Sequence, residues 1–539
     1  MTISRSERLL AMAIAAVTVV MRAVAFFHYR FDSDEPQHLH VVWGWTEGLL
    51  QYRDVFDNHA PLFHMAMAPL LRILGERPDI LLFMRAPMLI FWIIVSAAGF
   101  LIAKRLYGDR IAMWSVLLLN VLPPFFLKSI EFRTDNLWNA CWMVGVLMLV
   151  DASPDPDKKL SRYQHLFLGG VLFGCALSVS LKTSLLLFSL AAAAIVTWIA
   201  RIRGREPSPI RSRDVALVAA GFVIIPSLLG IYLAAVGVWP NFVYCALRFN
   251  GLVALSRSPL LVWTPRLLFV PLIVVVLRIA WRCRQSTTNG RFFFAVATAI
   301  FFATLGGFWI LISPRDFLPF LPFASMFAVA ALARRPHFGR NIAVLMLVCL
   351  IGVGYYAEWL TNRTREFITM ERQVLNLTRP GEPLMDYKGE TIYRRRPYYF
   401  ILEFITRNAI LHGLIRDTVA EDLVRAGCHV AQADGTQWPD RARGFMAANF
   451  LNLGRLRGSG QWIAPDGSFS IAIPGEYVLL RKEGEAAGTL DGTPYRGPRV
   501  LAAGMHKFTA TRAGERLACL WAPAFARGFS PFHLRDLDF

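Results

Sequence analysis

The chain has 539 residues, 55% of them hydrophobic, and a formal net charge of +19. Its mean hydropathy is +0.43, and apolar runs of about 20 residues recur through residues 9–360, which excludes a soluble protein over that stretch. The basic residues sit in short clusters between those runs, as orientation signals do, which excludes nucleic acid as a partner.

Eleven spans are predicted, near 9–27, 80–103, 111–127, 136–151, 164–181, 183–200, 215–236, 262–280, 292–312, 316–333 and 341–360. Alternate gaps then fall on opposite sides. One set holds Arg5/Arg8, "KRLYGDR", "DKKLSR", "RIRGREPSPIRSR", "WRCRQSTTNGR" and "RRPHFGR". That set is denser in Lys and Arg and is expected in the cytoplasm, which puts the first loop and residues 361–539 outside. Arg5, Arg8 and "AVA" at 23–25 mimic a secretory signal, but Arg22 inside the run and the odd span count favour an uncleaved anchor.

The loop after the first span, "FDSDEPQHLHVVWGWTEGLLQYRDVFDNHAPLFH", concentrates ionisable chemistry beside hydrocarbon. Asp34 and Glu35 are adjacent carboxylates, read as having different tasks: one to take a proton, the other to hold a metal or a helix N-terminus. Capping the next helix is the plain alternative. "PQHLHVVWGWTEGLL" carries Pro36 in a first-turn position and is expected as a short helix lying on the membrane surface. Glu35, preceding that proline, is expected to be extended. His38, His40, His59 and His64 lack the spacing of a recognised metal motif; His38/His40 suit a strand better than one helical face.

Polar groups return on the same outer side in later gaps. Arg133 and Asp135 open span 4 in "EFRTDNLWNA", Lys182 interrupts "ALSVSLKTSLLLF", and Arg315-Asp316 lie in "LISPRDFLPFLP". Each alone reads as a snorkelling charge. Together they place carboxylates and fixed cations at one membrane level, a composition suited to a phosphate carried on a lipid. A transporter or flippase for a lipid-linked or anionic substrate is the alternative; it predicts charges through the middle of spans and a duplicated half.

Residues 361–539 are long enough for a core of their own. "AEDLVRAGCHV" reads as a helix running into a strand, and "GSFSIAIPGEYVLLRK" and "GPRVLAAGMHKFTA" as strands, giving a mixed α/β, β-rich soluble domain. Cys428 and Cys519 could pair there if the domain is outside the cytoplasm.

The ordered set "DEPQHLHVVWGWTEGLLQYRD", "DNHAPLFH", "FRTDNL", "SLKTS" and "PRDFLPFLP" resembles the GT-C glycosyltransferases, in the branch of the protein O-mannosyltransferases and the lipid A aminoarabinose transferases. The resemblance covers residues 9–360. It implies a GT-C-like transmembrane catalytic domain, 1–360, with its first outer loop at 28–79, followed by an extracytoplasmic domain, 361–539. It implies a multi-pass protein of the inner (plasma) membrane that moves a sugar from a polyprenyl-phosphate donor to a hydroxyl of a lipid, glycan or protein acceptor on the outer side. By similarity Asp34 is the catalytic base, Glu35 a supporting carboxylate, and Lys182 and Arg315 ligands of the donor phosphate. Arg133 and Asp135 join the substrate-binding set. His59-Ala60 stands where the family has Lys-Pro, which leaves the role of His59 on the phosphate in doubt. No cofactor is required by this reading; a divalent metal is compatible with it.

Overall fold

The computed structural model describes residues 3–152, 159–203, 211–253, 290–309, 312–357, 361–433, 438–512 and 514–534, with isolated positions between 270 and 278. The chain opens with α1 (Arg5–His28), α2 (Asp34–Thr46), α3 (Leu62–Leu74) and α4 (Ile80–Tyr107). Next come α5 (Asp109–Val121), α6 (Pro123–Lys128), α7 (Thr134–Asp151), α8 (Lys159–Val179) and α9 (Thr183–Arg203). After α10 (Ser212–Ala235) and α11 (Trp239–Phe242), a π-helical turn occupies Val243–Phe249. The run ends with α12 (Arg291–Phe308), α13 (Leu321–Leu332) and α14 (Phe338–Ala357). Ten of the eleven expected spans lie on these helices; the remaining one, 262–280, lies outside the described residues apart from isolated positions.

Five of the described helices, α1, α4, α9, α10 and α14, are long and apolar enough to cross a membrane. The others fall short for local reasons. The span expected at 111–127 breaks at Leu122, before Pro123-Pro124, into α5 and α6, because proline cannot continue a helix built from its N-terminal side. α7 starts with buried Asp135, Asn136 and Asn139, and a tight 3-10 turn at Pro314–Phe317 replaces the first turn expected before α13.

The chain forms two compact units. The first comprises residues 1–35, 57–67 and 81–363; the second comprises 36–56, 68–80 and 364–539. In the first unit, Ala11, Trp114, Leu118, Phe338, Ile342 and Met346 pack α1, α5 and α14 together. Val20, Ile231 and Ile351 remain more than half exposed on α1, α10 and α14, apolar faces suited to hydrocarbon. α8 and α10 approach backbone to backbone: a Cβ at Gly170 would overlap the Val218 carbonyl, one at Gly174 the Phe222 carbonyl, and one at Gly221 the Phe167 carbonyl. This is the small-residue packing by which membrane helices gain van der Waals contact where lipid offers no hydrophobic drive.

The second unit joins two pieces of the loop after α1 to the long C-terminal region. That region contains α15 (Arg365–Leu377), β1 (Leu384–Met385), α16 (Phe404–Leu411), α17 (Val419–Arg425), β2 (Val430–Gln432), α18 (Asp440–Asn449), β3 (Phe450–Asn452) and β4 (Leu456–Trp462). It continues with β5 (Ser468–Ile471), β6 (Gly475–Arg481), β7 (Gly484–Glu485), β8 (Gly488–Leu490), β9 (Thr493–Pro494), β10 (Arg499–Leu501), β11 (Gly504–Ala510), β12 (Ala518–Trp521) and α19 (Ala522–Ala526). One sheet runs β1-β2-β4-β12-β6-β10, with β3 paired to β4 and β7 to β6; a second runs β5-β11-β8-β9. The helix-to-strand reading of "AEDLVRAGCHV" is realised as α17 and β2, and the alternating segments as β5–β6 and β10–β11.

Two expectations are corrected here. α2 is helical from Asp34, so Glu35 lies in its first turn and not in an extended segment. The short helix expected there is present, and it packs closely against protein. Leu39, Val41 and Val42 are at most 1% exposed, and His40 donates its Nδ1–H to the Ile392 carbonyl, 2.7 Å away. Cys428 and Cys519 are free and buried in separate cores, so no disulfide joins them.

Candidate active site

The first unit contains a buried lattice of charges whose members come from widely spaced parts of the chain. Arg133 precedes α7 and extends one guanidinium nitrogen to Asp32, at 2.9 Å, and to Asp34. Its Nε lies 3.3 Å from Asp135, which is held in the first turn of α7, where the helix dipole favours a carboxylate. Arg315, in the 3-10 turn before α13, reaches Asp32 at 2.6 Å and Glu131 at 3.1 Å. Lys128 meets Glu131 at 2.5 Å.

Lys182, in the turn between α8 and α9, contacts Asp316 at 2.5 Å and Asp135 at 3.8 Å. Its ammonium lies 5.8 Å from the Trp138 ring centroid and 5.7 Å from that of Trp309, within the range of cation–π attraction. Trp138 is itself oriented by donating its indole N–H to the Thr183 hydroxyl at 2.8 Å. Asp316 is fixed by accepting the Ser313 backbone N–H at 2.7 Å. Tight turns therefore present Lys182 and Arg315, so the two cations are aimed by short, locally bonded segments.

Electrostatics sorts these carboxylates. Burial pushes the Asp32 carboxyl up, but Arg133 and Arg315 outweigh it and hold its pKa below the ordinary value. Glu131 goes the other way: burial raises its pKa, and Arg315 and Lys128 only partly compensate. Burial also works against the Lys182 ammonium, yet Asp316 and Asp135 raise its pKa, keeping it a cation. Exposure separates the acids further. The side chain of Asp34 is 28% exposed, against 14% for Asp32, 7% for Asp135, 1% for Asp316 and 0% for Glu131.

Glu35 faces another way. Its two oxygens receive Arg85 at 2.5 and 2.8 Å, the Asp32 backbone N–H at 2.8 Å and the Phe132 backbone N–H at 2.8 Å. Arg85 also donates to the carbonyls of Tyr29 and Arg30, at 3.0 and 2.9 Å. The pair thus ties the end of α1, the start of α4 and residue 132 together, with neither side chain exposed. His59 places its Nδ1 2.8 Å from Asp57, which also lies 3.5 Å from His64 Nδ1.

Residues 58–229 match the family described as dolichyl-phosphate-mannose-protein mannosyltransferase. ArnT from Cupriavidus metallidurans, solved in its apo state, superposes with a TM-score of 0.55 at 13% identity, over 84% of this chain and 98% of that one. ArnT bound to undecaprenyl phosphate gives 0.56 at 12%, with the same coverage. The chain thus shares the fold of these structures, and its residues 58–229 carry the family match. An oligosaccharyltransferase, AglB from Archaeoglobus fulgidus, is a looser likeness, with a TM-score of 0.47 at 10% identity over 80% of this chain and 70% of that one. No curated protein matches by sequence.

Asp34, Arg133, Asp135, Lys182 and Arg315, singled out in the sequence, meet in one charge lattice. Sequence reasoning missed Asp32, Glu131 and Lys128 as members of it, and Arg85 as the partner of Glu35. Lys128 and Glu131 stand in the same short gap, "KSIEFRTDN", as Arg133; that shared gap was the available signal.

Proposed function

We propose that the chain transfers a sugar from a polyprenyl-phosphate donor to a hydroxyl of a lipid, glycan or protein acceptor on the outer side of the membrane. The observation that carries this reading is the graded lattice: one carboxylate open to solvent, Asp34, beside cations that buried carboxylates hold in place. Lys182 and Arg315 receive the donor phosphate, with Arg133 and Asp135 setting their positions and His59 at the margin. Asp34 takes the acceptor proton as the hydroxyl oxygen bonds to the anomeric carbon. The anomeric carbon–oxygen bond breaks, and polyprenyl phosphate leaves with the electron pair, its charge stabilised by the fixed cations. A single displacement of this kind inverts the anomeric centre.

A protein of the same fold binds undecaprenyl phosphate, which supports the donor class. The basic gaps support a cytoplasmic N-terminus and an external tail. Replacing Lys182 or Arg315 with Met is expected to weaken polyprenyl-phosphate binding at least tenfold, the usual consequence of removing one partner of a desolvated ionic contact, about 2–5 kcal/mol. Unchanged affinity in both folded variants would overturn the assignment. Loss of turnover on dialysis against EDTA, restored by Mg²⁺ or Mn²⁺, would add a divalent ion to the site.

A further inference from the structure

One end of the larger sheet of the second unit carries a cleft that the transfer chemistry above does not use. β4, β12 and β6 are neighbours there: Ala518, which opens β12, pairs with Trp462 at the end of β4 and with Leu480 near the end of β6. That register gathers three short stretches: Trp462 itself, Glu515-Arg516 just before β12, and Lys482-Glu483, the turn between β6 and β7. Pro531 and Phe532 form the remaining wall. The volume of the cleft is about 470 Å³, within the range of small-molecule sites, roughly 300–1,000 Å³.

The walls are braced. The Arg516 guanidinium lies 3.6 Å from the centroid of the Trp462 ring, a cation–π contact that holds a long side chain in place. The Phe532 ring packs nearly perpendicular to the same indole, with centroids 5.1 Å apart. His533 donates its Nε2–H to the Lys482 carbonyl at 2.9 Å, fastening the Phe532 segment to the β6–β7 turn. Arg481 reaches a Glu483 oxygen at 3.3 Å and a Glu515 oxygen at 3.8 Å from one guanidinium nitrogen, which sets the two carboxylates side by side.

The chemistry of the lining selects the guest. Trp462 is 36% exposed, although tryptophan is highly buried on average, so it leaves apolar ring surface in the cleft. Around it stand Glu483 and Glu515 against Lys482 and Arg516, a lining without net charge. An ion would meet repulsion beside every attraction there, and a wholly apolar guest would strip water from charged groups without replacing it. A pyranose ring meets both demands. Its C–H face covers the indole, and its hydroxyls, each donor and acceptor, bond to carboxylates and cations alike.

We propose that this cleft binds a neutral sugar unit of a glycan. Trp462 is the platform, Glu483 and Glu515 accept from the sugar hydroxyls, and Lys482 and Arg516 donate to them. The inference goes beyond the transferase reading and does not rest on it.

The test uses the full-length protein in detergent. Mannotriose, maltotriose and cellotriose are titrated separately, followed by calorimetry and by tryptophan fluorescence. At least one is expected to bind, and Trp462→Ala to weaken it about tenfold or more, as for loss of a central aromatic anchor. Lys482→Met and Glu515→Ala, changes at exposed positions, are each expected to weaken it severalfold without moving the melting temperature. No binding of any trisaccharide, or equal affinity in Trp462→Ala, would overturn the proposal. Should Trp462→Ala unfold, unchanged affinity in both exposed variants would overturn it as well. Inorganic phosphate binding more tightly than every trisaccharide, and weakened by Lys482→Met, would make the cleft an anion site instead. Polyprenyl-phosphate binding in the same variants reports on the donor reading alone, and is expected to be unchanged.

Discussion

Asp34 and Glu35 are neighbours in the chain, yet their side chains do different work. Glu35 is saturated by Arg85 and two backbone N–H groups without solvent exposure, whereas Asp34 is the most open acid of its lattice. Asp34→Asn is therefore expected to fold normally, keep donor affinity and lose about 10²–10⁴-fold in turnover. Glu35→Gln leaves the Arg85 guanidinium buried without its counter-charge, so it is expected to lose about 3–5 kcal/mol of stability. Thermal unfolding of the two variants, set beside single-turnover rates, separates the roles. A stable, inactive Glu35→Gln with an active Asp34→Asn would reverse them. Asp32 gives a pH signature. Its folded pKa is depressed, so its contribution to stability is fully present above the unfolded value, about 3.9. It is lost as pH falls through the lower folded value. Asp32→Asn is expected to flatten the acid limb of stability against pH below about 4; an unchanged limb would remove Asp32 from the lattice.

Among elements, the spans were legible because apolar runs are local properties of the sequence, and the charged positions because they recur at one level between runs. What could not be read was pairing at a distance. Arg85 meets Glu35 across 50 positions and Arg315 meets Glu131 across 184; nothing in either local sequence announces the partner. The glycine contact of α8 with α10 was equally hidden, since "GGVLFGC" shows small residues but not the carbonyls facing them. Gly170→Ala forces its Cβ into the Val218 carbonyl, and about 1–3 kcal/mol of destabilisation is expected, as for overpacking generally. Gly339→Ala, also helical but with open space around its Cβ, is the matched control and is expected to be neutral. Equal melting temperatures for the two would show that the α8–α10 approach is looser than described.

At the scale of the whole chain, the distribution of basic gaps makes a directional claim. An alkaline phosphatase fused after the tail is expected to be active and a fluorescent cytoplasmic reporter at the same place dark. The opposite pattern would move the charge lattice to the other side of the membrane. The β-rich tail was legible from alternation and turn residues. That it completes its fold with pieces of the first loop was not, because the two are joined by long-range bonds. Tyr399 donates to the Tyr52 carbonyl, Arg394 binds Glu76 at 2.9 Å, and Tyr393 donates to the Gly75 carbonyl at 3.4 Å.

That interleaving of residues 36–56 and 68–80 with 364–539 sets a timetable for biosynthesis. The first loop leaves the ribosome some 300 residues before its partners do, a wait of roughly 15–60 s at 5–20 residues per second. Throughout it, Leu39, Val41, Val42 and Tyr52, all at most 1% exposed in the finished protein, have no completed core to enter. The nascent chain is thus committed to holding an unfinished apolar segment until its last third is made, and a chain stopped near residue 361 would lack the partners that complete it.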